Sequence, residues 1–363
     1  MGWRYLICSA RQASLLRRLK LLILASLGAV NMVGCSPAYV VRAAYEQGKI
    51  LLARRDIEQV VAKGDLSPED REKLSYVLEA RKFAAEIGLN PGGSFTTYAD
   101  IGKETLAWVV MASRKDAFAP HTWWFPIVGT VPYKGYFSES AARGTALDLE
   151  RKGLESSVRG TEAFSTLGWF NDPLLSTTLR NSVVRIVNTV LHESVHSTVW
   201  IKGDVPFNES LANFVGNQAT VDFFRMRKER GDQRGAALLE QAERDYGFQR
   251  EFSGVVTRLH KELSELYARQ DISSEQKIAL RQGVFDRVCA PFRERYPKAQ
   301  VLRSINNAEL MQFVIYMTDL DQFERLFISS GRSWPTFIKR IEELRAGLEQ
   351  GAGKGAFEVL RLG

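Results

Sequence analysis

"VLHESVHSTVWIKGDVPFNESLANF", residues 190–214, gathers two of the chain's four histidines and two glutamates within eighteen positions. Helical periodicity runs through "SVVRIVNTVLHESVHSTVWI" (182–201) and, after "KGDVP" (202–206), resumes in "FNESLANFVGNQATVDFF" (207–224), so the stretch reads as an antiparallel helical hairpin. Four residues apart, His192 and His196 share one helix face with Cβ atoms ~5–6 Å apart, close enough for both imidazoles to reach one metal ion. Glu193 sits one residue round, beside that ion without being a ligand. The first helix is expected to end near Lys202 and Gly203 and the second to start near Phe207 or Asn208. Glu209 then lies in the opening turn of the second helix and returns toward the histidine face. The expected ligand set is His192, His196 and Glu209, with Glu193 as general base. Such a set suits Zn2+, which needs three protein ligands, keeps a fourth position for water and lowers that water's pKa to ~7. Asn213, one turn beyond Glu209, offers a carbonyl oxygen to orient a ligating ring. The alternative is a helical hairpin whose histidines hold no metal.

Outward from the hairpin, residues 37–89 carry apolar residues at helical spacing, and "LSPED" (66–70) is a helix start with Ser67 as cap. "GLNPGGS" (88–94) is a break. Beyond it, "TLAWVVMAS" (105–113) and "HTWWFPIVGTVPYKGYF" (121–137) are β-branched and aromatic, and residues 95–137 are expected to form two or three strands. "SESAARGTALDLERKG" (138–153) reads as a helix, and "TEAFSTLGWFNDPLL" (161–175) as irregular. Past Gly231 the pattern is charged and helical, with helices expected over 235–269, from Ser274, from Asn306 and from Ser333. The fold class expected is α+β and predominantly helical: an N-terminal helical lobe (35–90), a catalytic core with a small β-sheet (91–230) and a C-terminal helical lobe (231–363).

The 363 residues are 45% hydrophobic and 25% charged, a globular composition. The formal charge is +7, but Arg4, Arg11, Arg17, Arg18 and Lys20 all fall in an acid-free first 34 residues, and the remainder carries +2. That balance leaves no basic footprint for DNA or RNA, so a nucleic-acid partner is not expected. After the basic start comes "LLILASLGAVNMVGC" (21–35), an apolar run shorter than the ~20 residues of a spanning helix, and residues 1–34 read as a signal peptide. Met32, Val33, Gly34 and Cys35 resemble the lipobox of bacterial lipoproteins, which implies cleavage before Cys35 and lipidation of its thiol. Ser36 is no acidic retention cue, so the expected location is the cell envelope, at the outer membrane facing the periplasm, with the membrane as partner through the Cys35 lipid. Cys8 leaves with the signal and Cys289 stands alone, so no internal disulfide is expected.

Beyond "HESVH" and "FNESLANFVG", the chain resembles a family of bacterial lipoproteins predicted to be aminopeptidases, within the gluzincin metallopeptidases. The resemblance includes "YEQGKILLARRDI" (45–57), "GLNPGGSFTTY" (88–98), "WWFPIVGTVPYKGYF" (123–137), "FSTLGWFNDPLL" (164–175) and "NNAELMQFVIY" (306–316). It implies a zincin-like fold, one Zn2+ per chain on His192, His196 and Glu209, Glu193 as base, and a peptide substrate cut from its amino end. Phe164 stands where a Tyr is more usual, and Asn213 where many gluzincins place an acid. Tyr316 is the candidate donor to the tetrahedral oxyanion, a task gluzincins give to Tyr or His, and the alternative is a core tyrosine with a satisfied hydroxyl. His260 reads as a surface residue, with the same role as the alternative, and His121, beside Trp123 and Trp124, as packing. Asp172 is either a reader of a substrate's α-amine or a turn aspartate. "VGTVPYKGYF" (128–137) is either an internal hairpin or a strand edge that binds a peptide. The rival functions are a zinc endopeptidase of the same fold and a non-enzymatic envelope lipoprotein with a degenerate metal site.

Overall fold

The computed structural model describes residues 37–64, 66–125, 129–161, 171–349 and 355–362. Cys35, the signal segment before it and Phe164 lie outside the described residues. From the amino end, α1 (Pro37–Leu52) leads through β1 (Arg54–Asp56) to α2 (Ile57–Lys63) and α3 (Pro68–Glu86). The side chain of Asp56 caps α2 by accepting the Gln59 N–H at 3.0 Å, and Gly64 ends it at φ 75°. Ser67 caps α3 by accepting the Asp70 N–H at 3.1 Å, with Pro68 in the first turn as the sequence leads one to expect.

The middle of the chain supplies β2 (Thr97–Ala99), β3 (Ala107–Ser113), β4 (Trp123–Phe125), β5 (Gly129–Val131), β6 (Lys134–Tyr136), α4 (Glu139–Arg151), β7 (Glu155–Thr161), β8 (Leu174–Leu175) and α5 (Ser176–Leu179). The strands form three small sheets rather than one: β1-β2-β8, β6-β3-β7 and β4-β5. Among the described residues only the β2–β8 pair is parallel. Strands of two or three residues, such as β1, are too short to show a two-residue period, which explains why β1 and β8 are not visible in the sequence.

The remainder is helical: α6 (Val183–Thr198), α7 (Val205–Glu229), α8 (Gly235–Ala268), α9 (Ser274–Arg295), α10 (Asn307–Met317), α11 (Leu320–Ser329), α12 (Trp334–Glu349) and α13 (Ala356–Leu362). The chain is thus α+β and predominantly helical. Among the described residues no helix is long and apolar enough to cross a membrane.

One buried cluster draws on all three expected segments, with Val77 and Phe83 from α3, Val187 and Leu191 from α6, Phe214 and Phe223 from α7, and Phe323 and Phe337 from α11 and α12. Phe214 touches the rings of Phe323, Phe327, Trp334 and Phe337. Each such ring contributes roughly 1.5–3 kcal/mol by leaving water. A second cluster joins α8, α9 and α10 through Phe252, Leu259, Phe285, Phe292 and Leu310.

Polar contacts then aim α10. Arg281 of α9 forms two 2.8 Å bonds to the carboxylate of Glu155 on β7, and that carboxylate accepts the Asn307 N–H at 2.7 Å. Asn307 in turn accepts from the Tyr267 hydroxyl at 2.9 Å and donates to the Arg114 carbonyl at 3.0 Å. The start of α10 is thereby pinned to β3 and β7. Both partners of the Arg281–Glu155 pair are nearly buried, with side chains 14% and 10% exposed. Arg281→Met strands the Glu155 charge and should lower the unfolding free energy by about 3 kcal/mol in urea titration. A change under about 0.5 kcal/mol would mean the pair carries none of this anchoring.

Candidate metal centre

The hairpin forms because α6 and α7 have defined stops. Ser182 caps α6 by accepting the Arg185 N–H at 3.3 Å, and Val184, Val187, Val190, Leu191 and Val195 bury its apolar face. The helix ends at Thr198, earlier than the sequence suggests, because Val199 is extended at φ −133° and ψ 125°. Asp204 caps α7 by accepting the Phe207 N–H at 3.1 Å, and Pro206 occupies the first turn. Between the two helices the buried amide of Asn208 accepts the Ile201 N–H and donates to the Ile201 carbonyl, both at 2.8 Å. Further along, a Cβ at Gly216 would lie 3.2 Å from the Cβ of His192, so the glycine lets α7 approach the histidine helix closely.

These constraints bring His192, His196 and Glu209 together, the one such group of donors found among the described residues. The Nε2 atoms of the two histidines are 3.2 Å apart. Glu209 Oε2 lies 3.4 Å from His192 Nε2 and 3.5 Å from His196 Nε2. An ion bound tetrahedrally at ~2.0–2.1 Å separates its ligands by about 3.3 Å, so the three spacings match one face of that shell. The three side chains are 16%, 5% and 13% exposed. The donor set, two imidazoles and a carboxylate, fits Zn2+.

Electrostatics support the pairing. Burial alone would raise the Glu209 pKa, but hydrogen bonds from both histidines outweigh it and hold the carboxyl at about 2. For His192 burial opposes protonation, and the bond to Glu209 with the charges of Glu193 and Glu209 overcomes it, so its pKa is raised. His196 Nδ1 is buried with no hydrogen-bond partner among the described residues, and its ring packs edge-on against Trp200 with centroids 5.4 Å apart.

Around the triad, Glu193 is close enough to raise the pKa of both His192 and Tyr316. The Tyr316 hydroxyl is pushed up first by burial and then by Glu209, Tyr133 and Glu193, although the ring as a whole is 38% exposed. Tyr133, in the turn between β5 and β6, is pushed up by burial of its hydroxyl and by Glu209, although the residue as a whole is 40% exposed. Both phenols thus feel the charge of Glu209. Tyr133 is not distinguishable in the sequence, because a turn tyrosine carries no spacing signal.

Asn213 departs from the expected role. Its amide nitrogen donates to the Tyr316 carbonyl at 2.7 Å, and its oxygen accepts from Asn217 at 3.2 Å and from Gln249. Asn213 therefore clamps α7 to α8 and α10, and none of these three bonds goes to a histidine ring. Ser210 completes the clamp by accepting the Thr318 N–H at 3.1 Å. His121 packs edge-on against Trp123 with centroids 4.6 Å apart. His260 is half-buried against Phe118 at 4.8 Å rather than on the surface, and burial lowers its pKa. "VGTVPYKGYF" divides between β5, which pairs with β4, and β6, which forms one edge of the β6-β3-β7 sheet. Asp172 and Glu193 line the same small chamber.

A family model described as "Putative aminopeptidase" matches residues 38–352. The chain belongs to that family. The match spans the hairpin, the sheets and α10, so every element of the site falls within the family's extent. No curated protein and no solved structure matches the chain.

Asn208→Ala should destabilise the chain by about 2–4 kcal/mol in urea titration, because the buried N–H and carbonyl of Ile201 both lose their partner. It should also weaken Zn2+ binding in equilibrium dialysis. Asn213→Ala should fall well short of the ~10–100-fold affinity loss that follows removal of a ring's hydrogen-bond partner. Equal effects of the two variants on affinity would contradict these roles.

Proposed function

We propose that the protein is a zinc-dependent peptidase with a zincin-like active site that acts as an aminopeptidase. The observation that carries this reading is the set of three donor spacings, 3.2, 3.4 and 3.5 Å, joining His192, His196 and Glu209. Membership of the aminopeptidase family supports the reaction class. When bound there, Zn2+ would supply a Lewis acid that polarises a carbonyl and acidifies water.

The chain's own residues do the rest. Glu193, one position from a ligand, accepts the proton of the attacking water and later delivers it to the leaving amine. The hydroxyls of Tyr133 and Tyr316 are protonated at neutral pH, as an ordinary phenol of pKa ~10 is, and burial with nearby carboxylates shifts them further in that direction. Each is thereby a hydrogen-bond donor for the oxyanion that develops on the scissile carbonyl. Asn213 and Ser210 fix the last turn of α10 and so aim Tyr316. The pinned start of α10 resists the same helix sliding.

The lipobox-like Met32–Cys35 supports lipid attachment to a membrane, and Ser36, which is no acidic retention cue, supports the outer membrane, where the chain would act on peptides in the periplasm.

Glu193→Gln should keep one zinc per chain and lower kcat by about 10²–10⁴-fold, the range for loss of a general base. Tyr133→Phe and Tyr316→Phe should each lower kcat by up to about 10²–10³-fold with KM nearly unchanged, because the bonds form in the transition state. Steady-state kinetics with metal analysis checks both, and wild-type turnover in Glu193→Gln would refute the mechanism.

A further inference from the structure

On the far face of α7 from the metal centre is a cleft of about 670 Å³. Asp222 in its wall stands thirteen residues beyond Glu209. That offset is about 20 Å along the helix and about 140° round it, so the cleft is separate from the triad. On α8, Glu243, Tyr246, Gly247 and Arg250 follow i, i+3, i+4, i+7 spacing and present one face to it. Arg332 and Trp334 line it from the junction of α11 and α12, and Phe83, Val221 and Phe327 give it an apolar side.

We infer that this cleft binds a zwitterion with an apolar side chain, a free amino acid or a dipeptide, taking its carboxylate on Arg332 and Tyr246 and its ammonium on Glu243. The inference does not rest on the peptidase reading.

Charge selects the ligand. Three guanidinium groups and three carboxylates line the cleft, so it is neutral as a whole. Two of the cations are committed. Arg225 bonds Asp222 at 2.5 Å, and Arg250 pairs with Glu324 at 2.9 Å. Asp222 also accepts the Trp334 Nε1–H at 3.0 Å. Arg332 has no side-chain hydrogen bond or ion pair among the described residues. Glu243 has only Arg225, at 3.7 Å, a cation already bound closely to Asp222. The Tyr246 hydroxyl makes no hydrogen bond among the described residues, and the charge of Arg332 acts on it, so guanidinium and phenol share one space. The cleft thus offers a cation with an O–H donor beside it, and a weakly paired anion. A dianion such as phosphate would be repelled by three carboxylates, and a simple cation would leave Arg332 unmatched. A zwitterion matches both ends, and its side chain can cover Phe83, Val221 and Phe327.

Two positions in the wall hold residues that their local structure disfavours. The Gly331 N–H donates to the Ile328 carbonyl at 2.9 Å and the Arg332 N–H to the Phe327 carbonyl at 3.0 Å, the bond pattern that closes a helix with left-handed residues. Arg332 follows Gly331 into that region at φ 56°, where a Cβ is unfavourable and glycine would serve. What arginine adds there is the guanidinium. Gly247 lies in the interior of the 34-residue α8, where glycine weakens a helix. A Cβ built on it meets nothing within 4 Å, so its missing side chain leaves the cleft open. Local rules broken at two points around one cavity are the mark of a site kept for binding.

Calorimetric titration of the full chain with L-phenylalanine should show a site whose affinity is unchanged when His196→Ala removes a donor of the triad. L-Alanyl-L-phenylalanine, titrated into the His196→Ala variant, is the peptide arm, and the tighter of the two ligands identifies the source. Removing one charge, in L-phenylalaninamide or N-acetyl-L-phenylalanine, should weaken binding at least tenfold. Arg332→Gly should weaken it about 10–100-fold, the range for losing a charge-assisted hydrogen bond, with no fall in melting temperature because glycine suits the left-handed turn. Gly247→Leu should abolish binding by filling the cleft and should raise the melting temperature through its helix propensity. Failure of both ligands to bind, loss of the site in His196→Ala, equal affinity for either single-charge analogue, or undiminished affinity in Arg332→Gly or Gly247→Leu would overturn the inference.

Discussion

The amide of Asn208, bonded in both directions to the peptide of Ile201, is the constraint on which the site depends. It closes the turn between α6 and α7 and sets the register at which α7 begins. Glu209, the next residue, therefore projects toward His192 and His196. A shift of one residue along α7 would rotate its side chain by about 100° and remove it from the histidine face. Gly216 holds the other end of the contact by allowing α7 to approach the Cβ of His192. Two small features, a buried amide and a missing methyl group, thus convert a helical hairpin into a three-donor cage.

The cage concentrates ionisable groups. A buried carboxylate between two imidazoles is stabilised by their hydrogen bonds, which outweigh desolvation and keep it ionised. His196 nevertheless retains an unpartnered buried nitrogen among the described residues. Such concentrations of shifted ionisable groups mark functional sites more often than structural ones. The site also depends on α10, whose first residue is pinned by Glu155 and whose last turn is clamped by Ser210 and Asn213. The C-terminal helices thereby bring Tyr316 under the influence of Glu209 and Glu193, and they share a hydrophobic core with the hairpin.

The hairpin, its two histidines and its partner glutamate were legible because helical period and i,i+4 spacing are local properties. The cap at Ser67 and the helices beginning at Gly235, Ser274 and Asn307 were legible for the same reason, whereas the Ser182 cap emerges only from the coordinates. What the sequence hides is whatever a third element decides. Asn213 looks like a partner for a histidine when α7 is viewed alone, but α10 and α8 lie on that face and take its amide. Tyr133 reaches the site through the packing of a two-sheet turn, and Asn208 acts through a neighbour seven positions back in a turn of irregular geometry. The splitting of the strands into three sheets is equally non-local, since two- and three-residue strands have too little pattern to declare a partner.

The central claim is that one ion sits on two imidazole nitrogens and one carboxylate oxygen of this hairpin. Zinc-edge anomalous diffraction from crystals of the zinc-loaded protein tests it most directly. The account predicts a single anomalous peak within about 2.0–2.2 Å of His192 Nε2, His196 Nε2 and a Glu209 carboxylate oxygen. A peak coordinated by other residues, or Glu209 turned away from an ion held by the histidines alone, would contradict it.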